Sequence, residues 1–419
     1  MRLAACQSKT LRGLILPRQG HIRNLKYLEE IADKPYEMEP YCPRGRFAAM
    51  ALFGLVAVAQ GQNTPQAEQS AGVGPAFHYY ADLRLRYELD WNSENTSGAE
   101  RVSRNRGRVR ARAGFDYRLG EGWSVGTRLR TGSTASQQSL ALTFAGDDGV
   151  RDKPSVVADR YFVQFQKGGL TVWGGRNTSP FWQQNELFWD ENVSPTGLAV
   201  TYQTRAGKGT AAAIGGVLLL PDGGYGLSPL MTAGQFKYSV PVGSSRLTIA
   251  SGLHYLQGRA GARYLPDRNG ARDYLVGVNS AQWSIPMRTP LTLGADLFHN
   301  FVKYDAAGAA PFPVTDRNET LGFVLAAQCG QLKARGNFLL GYYYARIELF
   351  SVNASYAEDD WIRFGNGAQT QASDFKGHEI RLGYALSRKV NLVARLYLVQ
   401  TITTPQDGNR FRLDWNWQL

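Results

Sequence analysis

This sequence has no long hydrophobic run and therefore no candidate transmembrane helix. Its longest apolar segment, residues 47–59, is shorter than the roughly 20 residues that a spanning helix needs. The segment follows Arg44 and Arg46 and ends in the small-residue pattern Ala-Val-Ala at 57–59. A basic start, a short apolar centre and small residues before a cleavage point are typical of a secretory signal peptide.

The predicted signal peptide lies unusually far from the first residue. We expect translation to start at Met38, which makes residues 1–37 an upstream extension that is unstructured or forms a short helix. A genuine N-terminal domain is the alternative. The signal peptide then covers residues 38–59, and the polar segment 60–76 forms a linker. Residues 77–419 remain for the folded protein.

Cysteine and histidine are also rare. Cys6 and Cys42 precede the predicted cleavage point, so an exported protein would retain only Cys329 and could form no internal disulfide. This excludes a small secreted domain held together by disulfides. The histidines after the linker are scattered along the sequence. We also find no nucleophile and base that would lie at the same height on adjacent strands. We therefore expect no metal site, no cofactor and no catalytic residues.

The abundant residues favour a protein made of strands and turns. The chain contains 46 glycines and 21 tyrosines, and its formal net charge is +12. From residue 77 onward apolar and polar residues alternate, as in ADLRLRYELDW at 81–91 and RFRLDWNWQL at 410–419. A period of two places successive side chains on opposite faces of a β-strand.

The most unusual segment is RNRGRVRARAGFDYRL at 104–119, in which five arginines occupy every second position. Clustered arginine can indicate a nucleic-acid-binding arm. Such arms are usually continuous basic runs in polar sequence, whereas these arginines alternate with small or apolar residues. An export signal also argues against a nucleic-acid partner. We therefore predict a β-strand with one basic face.

About sixteen such segments are present, within a range of about 14 to 18, and most are long enough for a tilted membrane strand. They lie near residues 77–91, 106–119, 123–132, 156–167, 169–176, 197–205, 209–220, 231–240, 245–258, 272–284, 290–303, 317–329, 332–347, 374–386, 390–402 and 409–419. Short and long connections alternate between them. The predicted fold is therefore an all-β, transmembrane, antiparallel up-and-down β-barrel with short periplasmic turns and long external loops.

Three stretches resemble bacterial outer-membrane porins, most closely the broad putative-porin family that is distantly similar to alginate-export and phosphate-selective porins. They are NRGRVRARAGFDYRLGEGWSVGTRLRTG at 105–132, VWGGRNTSPFWQQNELFWDENVSPTGLAVTYQ at 172–203 and LGYALSRKVNLVARLY at 382–397. The resemblance implies a bacterial outer-membrane location, with membrane lipid and the barrel-assembly machinery as partners. It leaves open whether the protein is a homotrimer. Such proteins usually end in an aromatic residue, whereas this chain ends in Leu419.

Charge on the lipid face of a barrel strand costs roughly 2–4 kcal/mol per arginine near the bilayer midplane. The alternating arginines are therefore expected to face a water-filled lumen, together with arginines at matching positions on neighbouring strands. We call this set the arginine ladder. It consists of Arg84, Arg86, Arg104, Arg106, Arg108, Arg110, Arg112, Arg128, Arg130, Arg395, Arg410 and Arg412.

The third long connection, residues 177–196, is acidic and aromatic. In general porins the third external loop folds back into the lumen, and the resemblance implies the same here. The predicted constriction residues are Glu186, Trp189, Asp190 and Glu191. Carboxylates opposite the arginine ladder would create a transverse electric field. Alternatively, the arginines are solvated residues paired with lumen carboxylates such as Glu88 and Asp116.

The sequence therefore predicts a porin, and no enzyme, that passes small polar solutes by diffusion. Arginines along the lumen would favour anionic or zwitterionic solutes. One alternative is an exporter of an anionic, alginate-like polysaccharide, which a basic lumen would also serve. Another is an outer-membrane adhesin or receptor whose external loops carry the function.

Overall fold

The computed structural model describes residues 76–419 with gaps at 96, 133–140, 148, 150, 222–228, 259–271, 306, 308–313, 362–371 and 404–406. Its long strands close into one antiparallel β-barrel. The predicted upstream extension, signal peptide and nearly all of the linker lie outside the described residues and stay predictions. No helix in the described ranges is long and apolar enough to cross a membrane.

Sixteen barrel strands follow one another around the barrel in chain order, which confirms the predicted architecture. They are β1 (Ala76–Trp91), β4 (Arg104–Gly120), β5 (Trp123–Thr131), β7 (Val156–Lys167), β8 (Leu170–Arg176), β9 (Thr196–Ala206), β10 (Gly209–Leu219), β11 (Leu230–Val242), β12 (Ser245–Leu256), β13 (Tyr274–Ile285), β14 (Leu291–Asn300), β15 (Leu321–Gly330), β16 (Phe338–Ile347), β17 (Phe375–Ala385), β18 (Val390–Thr401) and β19 (Asp407–Gln418). Short strands in the loops are β2 (Ser93–Glu94), β3 (Glu100–Arg101) and β6 (Leu142–Gly146).

The barrel closes because β1 pairs with both β4 and β19. Leu85, for example, lies opposite Val109 on β4 and opposite Trp415 on β19. Closure removes the free sheet edges that the first and last strands would otherwise present. A bilayer requires this, because lipid offers no hydrogen bonds to unpaired backbone groups.

The two faces of each strand meet different surroundings. On β1, Leu85 and Tyr87 are exposed on the outer face, while Arg86 and Glu88 are buried on the inner face. The same alternation continues around the barrel and produces an apolar outer surface. This is the distribution expected of a barrel that faces lipid outside and polar groups inside.

The short connections at one end depend on backbone conformations that favour glycine. Gly120, Glu121 and Gly122 have φ values of 105°, 51° and 91°, so β4 turns directly into β5. Two predicted strand starts are wrong. The strand expected from residue 317 begins at Leu321, because Val314–Asn318 form a short 3-10 helix. The strand expected from residue 332 begins at Phe338, because residues 331–337 form a longer turn.

One long loop, and the described part of a second (residues 348–361 and 372–374), fold into the barrel. We call residues 177–195, between β8 and β9, loop 3, and residues 348–374, between β16 and β17, loop 7. Apolar side chains of both loops, such as Leu187 and Phe350, are almost fully buried in one cluster with Phe298 of the inner face. The apolar core of the described structure therefore lies inside the barrel and holds both loops there.

Val200 and Thr201 test the assignment of the two faces, because they are neighbours near the centre of β9. Val200 is 43% exposed on the outer face, whereas Thr201 lies on the inner face. Val200→Arg should lower the free energy of unfolding by about 2–4 kcal/mol, since the new charge meets lipid. The matched control, Thr201→Arg, should lower it much less. Urea unfolding in lipid vesicles measures both, and equal losses would contradict the assignment.

Candidate functional site

The arginine ladder lies on the inner face of the barrel strands. Arg86 on β1, for example, has Arg108 of β4 on one side and Asp414 of β19 on the other. The fully buried members are Arg86, Arg104, Arg108, Arg110, Arg128, Arg130, Arg410 and Arg412. The partly buried members are Arg84, Arg106, Arg112 and Arg395. Guanidinium groups so far from bulk water need counter-charges close by.

Carboxylates of the same inner face supply these counter-charges. Asp90 accepts a hydrogen bond from Arg104 Nη2 at 2.8 Å and one from Arg410 Nε at 2.6 Å. Glu88 forms ion pairs with Arg106 and, at 3.4 Å, with the next arginine of β4. Both carboxylates are fully buried. Each one therefore neutralises arginines from other strands and binds those strands together.

Four further carboxylates repeat this arrangement, with N–O distances between 2.7 and 3.8 Å. Asp82 pairs with Arg110 and Arg112, Asp159 with Arg128 and Arg130, Asp414 with Arg86 and Arg412, and Glu379 with Arg381 and Arg395. Of the carboxylates expected to pair with the arginines, Glu88 does so, whereas Asp116 forms no ion pair with the ladder within the described ranges. The missed partners were detectable, because Asp82 and Asp90 alternate in step with the arginines of β1.

The first half of loop 3 is fixed to strands opposite the ladder. The Trp182 N–H donates to Gln235 Oε1 of β11, and the Trp182 C=O accepts from Gln235 Nε2, both at 2.8 Å. Further along, Gln184 and Asn185 donate to the Asp296 carboxylate of β14. Gly294 allows this approach, since a Cβ there would collide with the Gln184 side chain.

The second half of loop 3 reaches the arginine ladder. Glu191 Oε1 lies 3.2 Å from Arg110 Nη1 and 3.9 Å from Arg84 Nη2. Arg110 also donates to Asn192 Oδ1 at 3.2 Å. Arg84 and Arg110 face each other on β1 and β4, so Glu191 spans two strands of the ladder. Loop 3 therefore crosses the barrel from one side of the inner face to the other.

The other predicted constriction residues contact loop 7. Trp189 stacks on Tyr356 with ring centroids 5.5 Å apart and an interplanar angle of 18°. The Asp190 N–H donates to the Tyr356 C=O at 2.8 Å, and the Glu186 C=O accepts from the Glu358 N–H at 3.1 Å. These three residues thus form a junction between the two inward loops.

The inward path of loop 7 was missed by sequence reasoning, which placed it among the external loops. Asp360 of this loop forms an ion pair with Arg86 at 3.4 Å and another with Arg412. A sequence signal for this path exists. Loop 7 carries EDDW at 358–361, a tryptophan beside acidic residues, and loop 3 carries the similar WDE at 189–191.

Burial makes the junction carboxylates hard to ionise. It raises the pKa of Glu186 to about 7, and the charge of Glu191 adds to the rise. It also raises the pKa of Asp190 well above its usual range, with Glu186 as the next cause. Burial opposes ionisation of Glu191 too, but the ladder, Arg112 most strongly, holds the pKa of Glu191 below its usual value. Glu191 therefore stays charged, while Glu186 titrates near neutral pH.

The interior thus presents fixed charges of both signs. The side chains of Arg84, Glu191 and Asp360 remain 16%, 24% and 20% exposed, whereas Glu88, Asp90 and Asp414 are at most 2% exposed. The partly exposed guanidinium and carboxylate groups therefore lie only a few Å apart, as Arg84 Nη2 and Glu191 Oε1 do at 3.9 Å. No three His, Cys, Asp or Glu side chains among the described residues are placed to hold a metal ion.

Residues 92–245 match the model of a protein family described as "Putative porin". The matched part contains the arginine-rich β4 and the whole of loop 3. The match confirms the resemblance to this family over that part of the chain. No curated protein matches the sequence.

Solved structures of outer-membrane porins have a similar fold. OprB of Pseudomonas putida, in a high-pH structure, is 11% identical with a TM-score of 0.51, over 82% of this chain and 94% of OprB. OmpF of Salmonella typhi, in complex with daunomycin, is 11% identical with a TM-score of 0.48, over 83% of this chain and 98% of OmpF. The likeness to OprB supports the fold alone. With the family match, it confirms an outer-membrane β-barrel and supports a channel function.

Asp296 is expected to hold the first half of loop 3 in place. Asp296→Ala leaves the donors Gln184 and Asn185 without their acceptor, which costs about 1–3 kcal/mol for buried polar groups. Hydrogen exchange of loop 3 amides, followed by mass spectrometry, should then be about 5- to 150-fold faster. Asp296→Asn keeps an acceptor oxygen and serves as the control. Unchanged exchange in Asp296→Ala would show that the loop does not depend on this contact.

The junction between the loops should weaken as the pH rises. Because the pKa of Glu186 is about 7 in the folded protein and 4.5 ordinarily, its protonated form stabilises the junction fully below about pH 4.5. This contribution is lost as the pH rises through about 7. Denaturant titrations measure the free energy of unfolding at pH 5 and at pH 8. The decrease in this free energy from pH 5 to pH 8 should be smaller for Glu186→Gln than for the wild type. Equal differences would rule out Glu186 as the titrating group.

Proposed function

We propose that this outer-membrane β-barrel is a porin through which small polar solutes diffuse, and that its constriction lies between the arginine ladder and the two inward loops. The observation that carries the proposal is the position of Glu191, which projects from loop 3 onto Arg84 and Arg110. Opposite charges on a loop and on the barrel face create a field across the path of a solute.

The chemistry of the interior suits ions and zwitterions. The carboxylates within the ladder leave only a modest excess of positive charge there, and the partly exposed groups carry both signs. A zwitterion can place its carboxylate toward Arg84 and its ammonium toward Glu191 or Asp360. An anion gains from the basic excess, whereas an apolar solute gains nothing from either side. We therefore infer a preference for anionic or zwitterionic solutes.

The expected partners follow from this function. The exposed apolar outer face fits contact with membrane lipid, and insertion requires the barrel-assembly machinery. The sequence resemblance leaves association into a homotrimer open. The proposed activity needs no cofactor and no catalytic residue, because solutes pass unchanged.

Planar bilayers that contain the purified protein test the proposal. The wild type should form channels whose reversal potential in a salt gradient indicates a preference for anions. Arg108→Ser combined with Arg110→Ser removes two positive charges and leaves Glu88 and Glu191 less compensated. The ratio of anion to cation permeability should then fall by about threefold or more. Unchanged selectivity would contradict a field set by the ladder.

Two controls sharpen this experiment. Arg108→Lys combined with Arg110→Lys keeps the charge and should retain the wild-type preference. Arg246→Ser removes one positive charge from an exposed position on β12, away from the ladder, and should change selectivity little. Alginate fragments added to one side distinguish diffusion from polysaccharide export. Saturable blockade by the polymer alone would favour an exporter.

A further inference from the structure

We propose that Asp360 of loop 7 is a second selectivity-determining carboxylate, which with Glu191 forms the acidic side of the constriction. This inference rests on the proposed porin function and deepens it. It assigns to loop 7 a part that the sequence pattern gave to loop 3 alone.

The contacts of Asp360 place it directly on the ladder. Its Oδ1 lies 3.4 Å from Arg86 Nη1 on β1, and its carboxylate also forms an ion pair with Arg412 of β19. In addition, Arg410 Nη1 donates to the backbone C=O of Asp360 at 2.7 Å. Three arginines from two strands therefore surround one residue of the loop.

Exposure separates Asp360 from most carboxylates that pair with the ladder, of which Asp82, with a side chain 14% exposed, comes nearest to it. Glu88, Asp90 and Asp414 are at most 2% exposed, and their arginines enclose them. The Asp360 side chain keeps 20% of its surface exposed, close to the 24% of Glu191. A carboxylate that still meets water can exchange part of its ion pairing for a passing cation or ammonium group. An enclosed carboxylate cannot do so without breaking a buried ion pair, which costs several kcal/mol.

Asp360 and Glu191 act at successive levels of the ladder. Glu191 binds the pair Arg84 and Arg110, while Asp360 binds Arg86, two residues further along β1 toward the long external loops. Two residues of a strand correspond to about 7 Å. A solute that enters from the external side therefore meets Asp360 first and Glu191 next.

Neighbouring contacts hold Asp360 in a fixed position. Trp361, the next residue, is 2% exposed and packs on Phe375 and Tyr397, with ring centroids 5.7 and 5.6 Å away. On the other side, the Glu358 N–H donates to the Glu186 C=O of loop 3. A charge that must discriminate between solutes needs this kind of support, because a mobile side chain would average its field.

Neutralisation of Asp360 tests the inference in bilayers that contain the full-length exported protein. Asp360→Asn should raise the ratio of anion to cation permeability about two- to threefold, since Arg86 and Arg412 lose a counter-charge. The matched control is Asp316→Asn, which removes the same charge from a half-buried position in the connection between β14 and β15, outside the ladder, and should leave the ratio near the wild-type value. Asp360→Glu keeps the charge and should also remain near it.

A second variant keeps the test decisive if Asp360→Asn folds poorly. In a cysteine-free background, Asp360→Cys can be modified in the open channel with an anionic or a cationic methanethiosulfonate reagent. The anionic reagent should move selectivity back toward the wild type, and the cationic reagent should move it further toward anions. Both measurements use the same folded protein, so their difference reports only the charge at this position.

The outcomes separate the two proposals. Absence of any channel in the wild type would overturn the porin function itself. Channels whose selectivity responds to the Arg108 and Arg110 substitutions, but not to Asp360→Asn or to the sign of the reagent on Asp360→Cys, would overturn the role of Asp360 alone. A response to both supports a constriction with two acidic residues.

Discussion

The ion pairs on the inner face, between the arginine ladder and carboxylates such as Glu88 and Asp90, are the interaction on which the rest of the interior depends. An arginine that faced lipid would cost roughly 2–4 kcal/mol, and one buried inside without a partner would cost several. The alternation along β1 satisfies both conditions, because it directs Leu85 outward and Glu88 inward. The barrel can therefore contain many arginine side chains without exposing their charges to the bilayer.

The two inward loops are held in part by this charged surface. On one side, loop 3 is held by hydrogen bonds to the Gln235 amide and the Asp296 carboxylate. On the other side, it is held by the ion pair with Arg110. Loop 7 is held by Arg86 and by the apolar core. Because each loop contacts opposite parts of the barrel, its backbone is fixed across the lumen, and the acidic side chains acquire defined positions.

Much of the fold could be predicted because each barrel strand carries its own signal. The period of two identifies the strands and their inner faces, since a shift by one residue would turn every charge toward lipid. The start of β16 at Phe338 was missed, because Leu332 and Ala334 alternate with Lys333 and Arg335 like strand residues, and the turn signal Gly336-Asn337 was included in the strand. The similarity of EDDW at 358–361 to WDE at 189–191 was a signal for the inward path of loop 7, but the individual contacts of Asp296 and Asp360 were beyond prediction. They depend on the register between distant strands and on the detailed course of each loop, which no single segment encodes.

The charge balance inside the barrel limits what composition can say about selectivity. The chain has a net charge of +12, yet most ladder arginines are neutralised by carboxylates on the neighbouring strands. A count of arginines therefore overstates the positive potential that a solute meets. Under the proposed function, the partly exposed groups, Arg84 beside Glu191 and Asp360, would have a larger effect per charge, because their counter-charges do not enclose them. For the proposed porin we therefore infer that selectivity is set by those ion pairs that remain partly exposed, and that the two inward loops determine which pairs these are.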